Sequence, residues 1–174
     1  TMINSLLYRS NSAMQDFQED TYLDMFIFQS GSRFNKPILG LEDFKESRDL
    51  VREAYSKEVV KSTPPVWLQD LMKEKSYDMI LSDSYRNNDL DMIDSLNSGF
   101  NTDHYLEYML YKRNENMVEV YDSIIKTGNT IFAGVGAAHL PGPQGMIEAF
   151  RNKGYQVTPV YGEMTKKGKE AKAR

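Results

Sequence analysis

The chain has 174 residues, no cysteine, 40% hydrophobic and 26% charged side chains, and a formal net charge of −4. These proportions describe a single globular domain, 1–174, long enough to bury a core. The missing thiols exclude disulfide scaffolds, thiolate zinc sites, iron–sulfur clusters and cysteine nucleophiles. Residues 163–174 hold five basic and two acidic side chains, a solvated tail that leaves −7 on the body, so nucleic acid is excluded as a principal partner. The most apolar stretch, residues 130–141, is far short of the roughly 20 residues that span a bilayer, so no membrane span is expected.

In chain order, Tyr22, Met25 and Phe26 fall at helical spacing behind Asp20 or Thr21, which predicts a helix over 20–34. The run Pro37-Ile38-Leu39-Gly40-Leu41 is short, continuous and apolar, the pattern of a strand covered on both faces, and it stops at Glu42. Residues 44–57 form a charged surface helix with Leu50, Val51 and Ala54 on its inner side. After Pro64-Pro65 a helix carries Trp67, Leu68, Leu71 and Met72, and another covers 77–96 with a turn at Asn87-Asn88. Asn97-Ser98-Gly99 reads as a loop, and Thr102 or Asp103 caps a long helix to about Lys126. Residues 44–127 therefore form a large helical insertion. The remainder reads as a βαβ unit: strand 129–135, a glycine-rich turn 136–142, helix 143–153 closed by Gly154, and strand 156–161. The fold class expected is α/β with a small, mainly parallel sheet.

In open α/β sheets ligands sit where the chain leaves the carboxyl end of a strand, which singles out Gly134-Val135-Gly136-Ala137-Ala138-His139-Leu140-Pro141-Gly142. His139 takes the place of the third glycine of a dinucleotide fingerprint and no G-K-[ST] follows, so that reading is set aside. The imidazole can ligate a metal, shuttle a proton, or simply be satisfied within the turn. Glu42 ends its strand at the same sheet edge or is merely solvated. Leu106, Leu110, Arg113, Met117, Val120 and Ile124 make one helical stripe that Arg113 interrupts. A guanidinium there requires an anion, for which Glu42 is the partner expected, or else its head reaches solvent. Asn114 stands at the stripe's edge. His104 is expected to be exposed or part of a cap, and Tyr105, Tyr108 and Tyr111 either pack or line a groove.

Four patterns occur in order: Tyr22-x-Asp24-x-Phe26; Lys36-Pro37-Ile38-Leu39-Gly40-Leu41-Glu42; Tyr111-Lys112-Arg113-Asn114-x-x-Met117; and Phe132-x-x-Val135-Gly136-Ala137-Ala138-His139-Leu140-Pro141-Gly142-x-x-Gly145. Together they resemble the TraB/GumN family, which is related to the Tiki metalloproteases and the pheromone-shutdown proteins and more distantly to the erythromycin esterase and ChaN folds. The resemblance implies a metal-dependent hydrolase of peptide or amide bonds, with two G-x-x-H motifs and a glutamate around a divalent ion: manganese, cobalt or zinc. By position it makes Glu42 and His139 metal ligands and Arg113 with Asn114 the catalytic polar pair. It also implies a bacterial envelope or extracytoplasmic setting.

One departure stands out. The first G-x-x-H, expected before Tyr22, is absent, since His104 and His139 are the chain's two histidines. A catalytic zinc usually takes three protein ligands. The expectations are therefore that an N-terminal strand is missing, that another chain contributes it, or that metal chemistry has been abandoned; that an exposed sheet edge leads to self-association or instability; and, as the alternative to an enzyme, a non-catalytic peptide-binding domain that keeps the family fold.

Overall fold

A computed structural model describes residues 23–160. Four of the described helices begin where a side chain, of Asp43, Ser76, Asp89 or Thr102, accepts from an orphan amide. α1 (Leu23–Arg33) comes first. α2 (Phe44–Ala54) is capped by Asp43, whose carboxylate accepts from the amides of Lys45 and Glu46 at 2.9 and 3.0 Å. α3 (Val66–Glu74) follows Pro65 directly; α4 (Tyr77–Arg86) is capped by Ser76 and α5 (Leu90–Phe100) by Asp89. Thr102 caps a continuous helical rod made of α6 (Asp103–Leu106), a π turn (Glu107–Tyr111) and α7 (Lys112–Lys126). A 3-10 turn (Ala137–His139) and α8 (Met146–Asn152) complete it.

Two apolar cores hold these pieces. Leu68, Ile80 and Leu96 join α3, α4 and α5, supported by Tyr77 stacked on Phe100 with centroids 4.3 Å apart. Met117, Val118 and Met146 join α7 to α8, with Leu41, Val135 and Phe150 packed on them. Each fully buried leucine or valine stabilises the fold by about 1.5–3 kcal/mol. Between the cores, residues 58–61 clasp the end of α5: Thr102 donates its amide to Val59 O at 2.8 Å, and Lys61 donates its amide to Phe100 O at 2.9 Å.

The expected parallel sheet does not form. Among the described residues there is no strand, and the β pairing found is one isolated antiparallel bridge, Val60 with Asn101. The fold of these residues is helical rather than α/β. Residues 36–40, 129–135 and 155–160 have no regular secondary structure, and exposure alternates along 131–135 as in a strand, with Ile131, Ala133 and Val135 turned inward and Thr130, Phe132 and Gly134 outward. A ladder needs a neighbouring strand as well as an extended backbone, and no described residue pairs with these segments. Burial of 37–41 on both faces fails too, since Ile38 is 41% and Leu39 67% exposed. The helix of the expected βαβ unit is present as α8, ended by Gly154 at φ +87°.

The expected helix over 77–96 is two helices, split where Asn88 adopts φ +57°. The expected loop at Asn97-Ser98-Gly99 is helical. Gly99 serves close packing rather than a turn, because a Cβ there would lie 3.0 Å from the Trp67 ring and 3.2 Å from Leu68. The first residues of the helix expected over 20–34, the last of the strand expected over 156–161, and the basic tail lie outside the described residues. No described helix is long and apolar enough to cross a membrane.

Candidate functional site

Glu42, Arg113, Asn114 and His139 meet although they come from a loop, a helix and a 3-10 turn. Arg113 occupies the first turn of α7, immediately after the π turn. It donates through Nε to Glu42 Oε1 at 2.7 Å and through Nη2 to Glu42 Oε2 at 2.8 Å, a bidentate fork, while Nη1 donates to the Met109 carbonyl at 3.0 Å. The two side chains are 17% and 23% exposed. Burial pushes the Glu42 carboxyl up, but the Arg113 hydrogen bond and charge, helped by Ser47 and His139, outweigh it and hold the group below the ordinary carboxylate range. The stripe's demand for an anion is met by the partner expected from the sequence.

His139 is buried, and its orientation is set by two successive hydrogen bonds. Asn114 donates Nδ2 to the Gln144 carbonyl at 2.8 Å, which leaves Oδ1 as the acceptor facing His139 Nδ1 at 2.6 Å. The proton therefore resides on Nδ1 and the lone pair on Nε2. Nε2 makes no hydrogen bond with any described residue. Burial first, then the charge of Arg113, lower the imidazole pKa to about 4, with Glu42 opposing. His139 is thus neutral at pH 7, with an unprotonated nitrogen available.

Its loop is braced on both sides. Gly145 closes against the preceding backbone so tightly that a Cβ would overlap the carbonyls of Leu140 and Pro141. Gly142, at φ +84°, lies against the carboxylate of Asp94 from α5. Reading the sequence did not single out Asp94 or the carbonyls of Met109 and Gln144. A carbonyl has no residue-type signature, and an aspartate inside a helix looks like any solvated charge.

His104 lies apart from this cluster. Its Nε2 contacts the Glu53 carbonyl at 2.9 Å and Ser56 Oγ at 3.3 Å, which ties the end of α2 to the start of α6. Tyr105 packs edge-on against Tyr55 at 5.5 Å, and Tyr108 packs on His104 at 4.9 Å, so these two rings build structure. Among the described residues no group of three or more His, Cys, Asp or Glu side chains could hold a metal ion. His139 Nε2 suits a metal, as a neutral imidazole whose other nitrogen is anchored. Both Glu42 oxygens are committed to Arg113, so Glu42 fits only after surrendering one of those bonds.

The model of the TraB/PrgY/gumN family matches residues 1–159 of the chain. The chain belongs to this family. No curated protein and no solved structure matched in the same comparisons. The resemblance carried by the four sequence patterns is thereby established at the level of the family.

Proposed function

We propose that this TraB/PrgY/gumN-family domain binds a peptide or amide substrate beside His139 and acts in its hydrolysis, with the Nε2 lone pair as the working atom. The observation that carries this is the Gln144–Asn114–His139 relay, which pins Nδ1 and leaves Nε2 unprotonated. An imidazole with a pKa of about 4 is a weak proton acceptor at pH 7 but an always-available ligand, so its electronics favour ligation over general-base work. A divalent ion bound there would supply Lewis acidity toward a carbonyl or a water. His139 would hold it, with Glu42 once its fork opens; among the described residues no third His, Cys, Asp or Glu completes a group with them. Arg113, steadied by Glu42 and Met109, presents a fixed positive charge beside the imidazole, and that charge favours the oxyanion that develops at an attacked carbonyl.

The test is incubation with a peptide mixture and manganese, cobalt or zinc at pH 7, read by mass spectrometry. Cleavage should require the ion and vanish in His139→Ala; cleavage that persists under chelator or in that variant refutes the reading. A second reading, peptide binding without turnover, is favoured by the commitment of both Glu42 oxygens to Arg113. Saturable peptide binding that survives chelator and yields no product would select it.

A further inference from the structure

A groove of about 500 Å³ runs along the outer side of the His139 loop, with Leu90, Leu140, Pro141 and Ile147 among its apolar lining and Asp91 and Glu148 among its charged lining. Arg151 also lines it, 3.5 Å from Glu148, which compensates its charge. Gly142 forms part of the wall, and against its backbone, beside the groove, lies the carboxylate of Asp94: a Cβ on Gly142 would stand 2.6 Å from Oδ1 and 2.9 Å from Oδ2.

The Asp94 side chain makes no hydrogen bond or ion pair with any described residue. The other described carboxylates in that condition, Glu58, Glu74, Asp78, Asp91 and Glu115, are all exposed, and water solvates them. Asp94 is partly withdrawn from water and still lacks a cation. Burial, followed by the charge of Asp91 one turn away, pushes its carboxyl above the usual range, the reverse of the paired Glu42. Withdrawing a carboxylate without compensation is costly, and a cation arriving from outside would relieve that cost. The uncompensated charge is then negative both in the groove, at Asp91, and beside it, at Asp94 against Gly142, on a body that is itself acidic.

We infer that this groove takes an extended peptide whose apolar side chain lies on Leu140 and Ile147 and whose basic side chain pairs with Asp94. The inference rests on the peptide reading of the same site and adds to it the charge of the substrate.

The test uses dye-labelled, end-blocked peptides that differ at one position (lysine, norleucine or glutamate), with binding read by fluorescence anisotropy without added metal. The lysine peptide should bind about fivefold more tightly than the norleucine peptide, the scale of a partly desolvated ion pair, and more tightly still than the glutamate peptide. The preference should shrink in Asp94→Asn and persist in Glu74→Gln, an exposed acid on α3. In the wild-type chain, the lysine peptide should shift the backbone amide resonances of Leu140 and Gly142. Equal binding of the three peptides, a preference unchanged by Asp94→Asn, or resonance shifts confined to other helices would each overturn the inference. Because binding is read without turnover, lysine preference in a chain that never cleaves sinks the hydrolase reading alone, and cleavage without preference sinks this one alone.

Discussion

Replacing Arg113 by methionine keeps much of the stem's packing and removes the guanidinium. Glu42, 23% exposed, then loses both of its 2.7 and 2.8 Å hydrogen bonds and remains mostly out of water. Orphaning a fully buried charge costs about 3–5 kcal/mol and breaking an exposed pair less than about 1, so the residual exposure here places the loss at about 2–3 kcal/mol. The pH dependence changes sign as well. In the native pair the Glu42 pKa is depressed, so its contribution is present above the ordinary 4.5 and is lost as pH falls through the lowered value. With Arg113 gone, desolvation, the largest influence on the group, is opposed by Ser47 and His139 alone, so the pKa should rise above 4.5 and stability should decline as pH rises through that window. Urea unfolding of the wild type, Arg113→Met, Glu42→Gln and the double variant between pH 4 and 7 measures both effects. The double variant should regain most of the loss, with a coupling of about 2 kcal/mol. A single-variant cost below about 0.5 kcal/mol, or strict additivity, would refute the argument that the stripe tolerates Arg113 only through Glu42.

Three further outcomes are expected. The His139 pKa of about 4, lowered from 6.5, means that the unfolded chain binds the proton first, so stability should rise by about 3 kcal/mol between pH 4 and 6.5; His139→Phe should flatten that slope in urea titrations. Asn114→Asp places a carboxylate on Nδ1 and should move the imidazole titration upward, which NMR of the ring protons detects; an unmoved titration contradicts the 2.6 Å contact. Gly145→Ala cannot fit beside the carbonyls of Leu140 and Pro141, so it should lower the melting temperature and shift the His139 ring resonances together, whereas Gly128→Ala, with nothing within 4 Å but φ +82°, should cost only the backbone strain of about 1 kcal/mol.

Much of the helical architecture was readable because its signals are local. Prolines at 64 and 65 and capping residues at 102 and 103 mark helix starts where the structure has them, and an arginine in an apolar stripe announces a buried anion. The failures are long-range. The runs at 37–41 and 129–135 carry the pattern of a strand, but pairing depends on a neighbour that such a run cannot specify. Gly99 looked like a turn because a glycine required by a tryptophan 32 positions earlier is indistinguishable in sequence from one required by φ. His139 and Asn114 were each legible as candidates; the hydrogen bond between them, which decides the tautomer, was not.

The π turn has a mechanical consequence. One residue of surplus in the rod advances everything after it by about 100° relative to an unbroken α-helix. The segment bearing Thr102 and His104 is thereby clocked toward α2 and the 58–61 clasp, while Arg113 and Asn114 are clocked toward the imidazole. The rod works as a shaft with an offset coupling, and excising one residue from that coupling would force either the scaffold or the cluster around His139 out of phase with its surroundings.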